Sequence, residues 1–443
     1  MRDTPHISAA EYAKRRQRVL DQLGADSIAI INSSGLKTRN HDAEYIFRQD
    51  SDFYYLTGFN EPEAVAVLIP NRAEGEYVLF CRERDPAAEQ WTGYRAGVEG
   101  AKSQYGASES YPISQLNEVM PKLLANKDQV YYRLGMDWTF DQQVFTWLNS
   151  VRAQVRAGVK APQTFKVLDQ IIHEMRLIKS EAELDMMRHA AKTSARAHTR
   201  AMQVCKPDMY EYEVEAAIAY EFRRDGMETA YTSIVGGGKN GCILHYIENR
   251  DRLNDGDLLL IDAGAEYHCY ASDITRTFPV NGKFSPAQKA LYQIVLNAQY
   301  AAINTVRPNV LWDDIHQAAV HALVDGLIEL GLLTEAKDKI IAEGLYRKFY
   351  MHRTGHWLGL DVHDVGAYKV EGAWRRLEAG MVLTVEPGLY IPAEEGIDPQ
   401  WWHIGIRIED DVLVTAEGRE VLTAGVVKEI ADIEALMAAG KDI

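Results

Sequence analysis

The chain has 443 residues, 47% hydrophobic and 25% charged, the composition of an ordinary globular protein with room for two or three domains. Its 48 basic and 64 acidic residues leave a formal charge of −16, which argues against a nucleic-acid binder and its basic face. No apolar run is long enough to span a bilayer and the N-terminal stretch lacks the apolar core of a secretory signal, so no membrane partner and a cytoplasmic setting are expected. Cys81, Cys205, Cys242 and Cys269 form no C-x-x-C pair and are expected as isolated core residues in a reducing compartment.

Along the chain, an amphipathic helix is predicted over Ala9–Leu23. β-rich runs follow at Ser27–Ser33, Ala64–Pro70, Glu76–Arg82 and Gln129–Gly135, with a helical pattern at Ile113–Leu124 between the last two. Strands alternating with helices predict a small α/β domain. A boundary is predicted near Leu177–Ser180, giving domains 1–177 and 178–443. There Ser180 and Glu183 have capping-box spacing and open a long helix. Leu184, Met187, Ala191, Ala195, His198 and Met202 recur at helical spacing on it and should face a core. Lys206-Pro207-Asp208 ends that helix, and a second, over Tyr210–Arg224, stops at Gly226.

Beyond this point β-rich runs dominate: YTSIV from Tyr231, CILHYI from Cys242, DLLLIDAG from Asp257 and EYHCYASDITRTF from Glu266. Helices are predicted near Pro286–Val306 and Trp312–Leu330. A second β-rich block then holds VLTVEPGLYI, IGIRIEDDVLV and GREVLTAG. The expected layout is α+β, with the strands collected into one curved sheet.

The chemistry concentrates in this half. Asp262 ends an apolar run, where a carboxylate must be paired, hydrogen-bonded or metal-bound to avoid a desolvation penalty of several kcal/mol. Asp273 follows eleven positions later, a spacing that fits neighbouring arms of a hairpin. Glu386 follows the apolar run Met381–Val385, with Pro387-Gly388 reading as a turn. Glu409 lies in IRIEDD, where alternation puts Arg407 and Glu409 on one face and Ile406 and Ile408 on the other. His352, His356 and His363 fall among Gly355, Gly359 and Gly366, and His245 stands in CILHYI. Four carboxylates and an imidazole suit hard or borderline divalent ions such as Mn²⁺, and two ions sharing carboxylates generate hydroxide and clamp a reacting carbonyl or phosphoryl group. Each residue alone has an ordinary structural explanation: a turn aspartate, a salt-bridged strand face, a core histidine. A hydrolase follows only if the five meet in space.

Gly236-Gly237-Gly238-Lys239-Asn240-Gly241 satisfies G-x-G-x-x-G, but a dinucleotide site requires a helix to open there and CILHYI reads as a strand. A loop near the site is expected instead. No G-x-S-x-G nucleophile elbow is present.

With their flanks, Asp262, Asp273, His356, Glu386 and Glu409 resemble the ligand set of the M24 metallopeptidases, which share the pita-bread fold. DSDFYYLTGFNEPEAV, GHWLGLDVHDVG, VLTVEPGLYI and GIRIEDD make the chain similar, over nearly its whole length, to the bacterial Xaa-Pro aminopeptidases (aminopeptidase P) of that family. The resemblance implies a catalytic domain with a curved sheet, preceded by a smaller creatinase-like α/β domain. It implies two divalent ions, usually Mn²⁺: Asp262 on one, Asp273 and Glu409 bridging, His356 and Glu386 completing the other. Glu386 would be the general base, with His245, His352 and His363 as active-site histidines and Arg407 and Tyr231 orienting the ligands.

The implied substrate is a peptide with proline at its second position, and the implied assembly a homotetramer or homodimer. Asp42 and Trp91 would rim a neighbouring subunit's site. A prolidase restricted to Xaa-Pro dipeptides, and a non-catalytic peptide-binding protein of the same fold, are the alternatives.

Overall fold

The computed structural model describes residues 4–440. The chain divides into two units, one of His6–Arg176 and one from Leu177 onward that also takes in residues 4–5, where the Tyr267 hydroxyl donates to Pro5 O at 3.3 Å.

The first unit opens with α1 (Ala9–Leu20), whose Ser8 side chain accepts the Glu11 N–H. Then come β1 (Ser27–Asn32), the short hairpin β2 (Thr38–Asn40) and β3 (Ala43–Glu44), α2 (Ser51–Thr57), β4 (Val65–Leu68) and β5 (Tyr77–Cys81). After α3 (Pro86–Thr92) and α4 (Gly97–Ser103) follow β6 (Glu109–Pro112), α5 (Leu116–Leu124), β7 (Gln129–Tyr131), α6 (Trp138–Arg152) and β8 (Thr164–Lys166). Six of these strands form a mixed sheet in the order β6-β5-β4-β1-β7-β8. Its central strands are buried throughout, which is why Val65–Leu68 reads as an unbroken apolar run. Ile28, Ile30, Val67, Phe80 and Val130 pack with Met120 and Leu124 of α5 and Val144, Trp147 and Leu148 of α6. Asp52, Asp169 and His173 lie close enough to hold an ion, but guanidinium groups already serve these acids: Arg176 is 2.6 Å from Asp52 and Arg133 is 3.3 Å from Asp169.

α7 (Asp169–Leu177) closes the first unit, and the second has α8 (Glu181–Val204) and α9 (Glu211–Arg224). The Glu183 carboxylate accepts the Ser180 N–H at 2.9 Å, and all six residues predicted to face a core from α8 are buried. Gly226, with φ of +76°, follows α9 as expected. The strands are β9 (Glu228–Thr229), β10 (Ile234–Gly237), β11 (Leu258–Asp262), β12 (Ala265–Tyr267), β13 (Tyr270–Ala271) and β14 (Thr275–Pro279). Next come α10 (Pro286–Thr305), α11 (Trp312–Glu329), α12 (Lys337–Glu343) and the small hairpin β15 (Lys369–Val370) and β16 (Ala373–Trp374). The last elements are β17 (Val382–Val385), β18 (Gly388–Tyr390), β19 (Gly405–Arg407), β20 (Asp410–Val414), β21 (Arg419–Val421) and α13 (Ile430–Gly440).

Two long hairpins, each broken in the middle, position the site. In the first, β11 pairs with β14 and β12 with β13 in one continuous antiparallel register, Asp262 opposite Thr275 and Tyr267 opposite Tyr270. Its tip is His268-Cys269, both left-handed with φ of +47° and +68°, as a two-residue turn of this twist requires. In the second, β17 pairs with β20 and β18 with β19, again in one register, Val385 opposite Asp410 and Gly388 opposite Arg407. The strands of this unit are therefore hydrogen-bonded as short ladders rather than as one uninterrupted sheet.

Two local expectations are corrected. Pro387-Gly388 is no turn: the chain runs on from β17 into β18, and Pro387, lacking an N–H, marks the break in the ladder. CILHYI is no strand: Gly238–Cys242 is a 3₁₀ turn and the following residues are irregular. Its apolar residues are fixed by packing of Cys242 and Leu244 against Ile234, Leu260 and Tyr390 rather than by a ladder.

Candidate metal centre

The breaks in the two hairpins are where the acids emerge. Asp262 is the last residue of β11, and Asp273 lies in the unpaired stretch just before β14. Glu386 and Glu409 fall opposite each other in the gap between the β17–β20 and β18–β19 ladders. The hairpins are stitched together at this level: Glu409 N–H donates to Thr275 O at 3.0 Å, Asp273 N–H to Asp411 Oδ2 at 3.0 Å, and Arg407 N–H to Thr277 Oγ1 at 3.2 Å. His356 comes from the loop after α12, held alongside β17 by Thr384 N–H to His356 O at 2.9 Å and Glu386 N–H to Thr354 O at 2.8 Å. The loop approaches closely because residue 355 is glycine; a Cβ there would lie 2.0 Å from Thr384 O.

Each side chain is oriented by a partner. Tyr231 places its hydroxyl 2.5 Å from Asp262 Oδ1 and also in contact with Asp273 Oδ1. Arg407 donates to Asp262 Oδ2 at 2.6 Å, to Thr275 Oγ1 at 3.1 Å and to the Tyr390 hydroxyl at 3.0 Å. Thr275 donates a hydrogen bond from its own hydroxyl to Glu409 Oε2 at 2.6 Å. Thr384 does the same for the other hairpin, accepting His356 N–H at 3.0 Å and donating to Glu386 Oε1 at 3.3 Å. His356 donates from Nδ1 to Trp357 O at 2.9 Å, which turns Nε2 toward the acids, 3.5 Å from Asp273 and 3.7 Å from Glu386.

The electrostatics identify what the pocket is built for. Burial, then the neighbouring carboxylate Asp262, holds the Asp273 carboxyl above its ordinary value. Burial pushes Glu386 up to about 7 against the opposing pull of His356 and Arg407, and burial with Asp273 and Glu386 pushes Glu409 well up. Burial would lower His356, yet Asp273 and Glu386 raise it to about 9. So much buried negative charge with so few cations fits divalent metal. Oxygen donors predominate with one nitrogen, the preference of Mn²⁺-like ions. Asp273, His356 and Glu409 present ligand atoms within 4.8 Å of one another, and Asp262 and Glu386 flank that set.

The comparisons with known proteins agree with this geometry. The profile of metallopeptidase family M24 matches residues 185–416, and that of the aminopeptidase P N-terminal domain matches residues 12–131. The chain belongs to metallopeptidase family M24. It is 46% identical to the Xaa-Pro aminopeptidase of Escherichia coli over 98% of this chain and 99% of that one. A solved Pseudomonas aeruginosa aminopeptidase superposes with a TM-score of 0.98 at 53% identity, covering 99% and 100% of the two chains. The zinc-substituted E. coli aminopeptidase P, solved in complex with product, gives 0.96 at 46% identity over 98% and 99%. The fold is therefore the pita-bread metallopeptidase domain preceded by an aminopeptidase P N-terminal domain.

In this M24 site all five sequence-predicted ligands, together with His245, His352, His363 and Arg407, line one cavity of about 440 Å³. Ile234, Leu244, Ile247 and Val362 give it an apolar wall facing the acids. His363 stacks edge-on against His356 with centroids 4.3 Å apart, and burial followed by His356 and His245 keeps its pKa low, so it is neutral near pH 7. His352 is already engaged at both nitrogens: Nδ1 donates to Arg353 O at 2.7 Å and Nε2 accepts from Tyr390 at 2.9 Å. The sequence reading missed Thr275, Thr384 and Tyr390. A polar Thr inside the apolar run Val382–Val385 was the available signal for Thr384; its partners come from distant segments and carry no local trace.

Proposed function

We propose that this chain is a two-metal aminopeptidase that hydrolyses the N-terminal Xaa-Pro bond of peptides. The convergence of Asp262, Asp273, His356, Glu386 and Glu409 on one cavity at two facing hairpin breaks carries this reading, and the Xaa-Pro aminopeptidases among its relatives support the substrate. Asp262, Asp273, His356, Glu386 and Glu409 would hold two divalent ions, Mn²⁺ being the ion this donor set favours. When bound, such ions supply Lewis acidity and a hydroxide at neutral pH.

The remaining work falls to the chain's own residues. Arg407 and Tyr231 fix the Asp262 carboxylate, and Thr275 and Thr384 fix one oxygen each of Glu409 and Glu386. Glu386 takes the proton of the attacking water and returns it to the leaving nitrogen. That nitrogen is proline's and carries no hydrogen in the substrate, so it needs this proton as the bond breaks. His245 and His363 donate to the carbonyl oxygen as it gains charge. His352, a cavity-lining histidine, also orients Tyr390 against Arg407 through its bond to the Tyr390 hydroxyl. The apolar wall of Ile234, Leu244, Ile247 and Val362 suits a pyrrolidine ring.

A homodimer or homotetramer in the cytoplasm is the proposed form. Trp91 is 87% exposed and Asp42 lies on the exposed β2–β3 turn, where a neighbouring subunit can meet them. Incubating the Mn²⁺-loaded protein with an Xaa-Pro dipeptide and an Xaa-Pro-Yaa tripeptide tests the function. Release of the first residue from the tripeptide is the expected result. Cleavage of the dipeptide alone would make it a prolidase, and cleavage of neither by fully loaded protein would leave a binding protein.

A further inference from the structure

The glycine-rich run Gly236–Gly241 has no part in the chemistry above, yet it meets a carboxylate that the mechanism also leaves unused. Glu211, the first residue of α9, is fully buried. Its Oε1 accepts Gly237 N–H at 2.8 Å and Asn240 Nδ2 at 3.0 Å; its Oε2 accepts the Tyr246 hydroxyl at 2.7 Å and Asp251 N–H at 2.9 Å. Glu211 N–H in turn donates to Asp251 O at 3.0 Å. Four donors fill an acceptor-only carboxylate. They come from both sides of His245, in a segment that has only one 3₁₀ turn of regular structure between β10 and β11.

The glycines make the approach possible. A Cβ on Gly237 would lie 2.6 Å from Leu253 and 3.5 Å from Glu211 Oε1, and one on Gly405 would lie 2.2 Å from Gly241 O, so the segment packs closely against both α9 and the second hairpin. Asn249, buried with φ of +47°, closes the far end by accepting Val235 N–H at 2.9 Å and donating to Ser233 O at 2.8 Å. Leu244, His245 and Ile247, held inside this frame, face the cavity.

We propose that Glu211 is a positioning residue for Xaa-Pro hydrolysis, acting through the 237–251 segment to set His245 in the cavity wall. The proposal rests on the function proposed above. Glu211→Gln is the informative change. Asn240 and Tyr246 can reverse their polarity, but the main-chain N–H groups of Gly237 and Asp251 cannot, and they sit on different oxygens. A glutamine therefore loses at least one of them.

The experiment is a double-mutant cycle of Glu211→Gln with His245→Ala on the metal-loaded full chain, with amide hydrogen exchange on the same samples. Glu211→Gln alone should lower kcat/KM by about tenfold or more, with unchanged metal content and faster exchange across 237–251. In the His245→Ala background it should lower kcat/KM less than about twofold, because the residue it positions is gone. Tyr246→Phe, which removes one of the four bonds, should follow the same coupling with a smaller effect if Glu211→Gln folds poorly. Equal losses in both backgrounds, or unchanged exchange across 237–251, would overturn the proposal. Failure of the unaltered chain to cleave Xaa-Pro peptides while Glu211→Gln still loosens the segment would instead overturn the functional reading.

Discussion

Glu386 and Glu409 stand opposite each other in the register of one hairpin, at the two positions where its ladder is interrupted. Ile408 N–H donates to Pro387 O, so the alternation of an antiparallel pair makes Glu386 and Glu409 a non-hydrogen-bonded couple whose main-chain groups point outward. Glu386 N–H reaches Thr354 O and Glu409 N–H reaches Thr275 O, binding the hairpin to the His356 loop on one side and to the Asp262–Thr275 hairpin on the other. The acids thus sit where three segments are joined, which gives the site its rigidity.

Thr275 links Arg407 to Glu409 through one hydroxyl, so Thr275→Val takes an acceptor from a buried guanidinium and a donor from a buried carboxylate. Metal affinity should fall by roughly 10- to 100-fold, as for other groups that orient ligands. The metal-free protein should lose about 1–3 kcal/mol. Calorimetric Mn²⁺ titration and urea denaturation of the stripped protein measure the two; an unchanged metal affinity would count against Thr275 as an orienting group.

The metal-stripped protein should become less stable as pH rises from mildly acidic to alkaline. Glu386 goes from an ordinary 4.5 to about 7 on folding, and His356 from 6.5 to about 9. Both therefore bind their proton more tightly in the folded state. That stability is full below the unfolded values and is lost as pH rises through about 7 and then about 9. Denaturation midpoints between pH 5 and pH 9 with a chelator present should fall steadily. Saturating Mn²⁺ should flatten the profile, since the ion replaces the protons.

Gly355→Ala adds a single carbon where Thr384 O would be 2.0 Å away. Main chain must move, and with it His356 and Glu386. Overpacking of this kind costs about 1–3 kcal/mol. The larger effect should be on activity, with kcat/KM falling on the order of 100-fold for a displacement near 1 Å. Thermal melts beside steady-state kinetics separate the two, and full activity at reduced stability would show that the loop does not fix the ligands.

Arg276 and Lys428 hold the buried Asp410 down to about 2 against its desolvation, and Arg276, itself fully buried, also donates to Thr275 O at 2.9 Å. Arg276→Met should destabilise the protein by about 3 kcal/mol or more at pH 7, because a buried carboxylate loses its main partner. Asp410 contributes stability above its unfolded 3.8 that is lost as pH falls through about 2, so the gap between the variant and the original chain should narrow in strong acid. Urea denaturation at pH 7 and near pH 3 checks the size and the trend.

The chemistry and the local frame could be read from neighbouring residues. Donor types, apolar runs that end in acids and the helical spacing on Glu181–Val204 are properties of neighbouring residues, so they were legible, as was the pairing of Asp262 with the arm that carries Asp273. Pro387-Gly388 reads locally as a turn and CILHYI as a strand, because a broken ladder and an irregular clamped segment contain the same residue types as regular ones. Tertiary structure alone decided that Glu386 faces Glu409, that Thr275 and Thr384 orient the acids, that His352 is already committed, and that Glu211 frames His245. The physical reason is range. Those relations join segments up to 134 residues apart, as between Thr275 and Glu409, and are set by hairpin register and close glycine packing rather than by local periodicity.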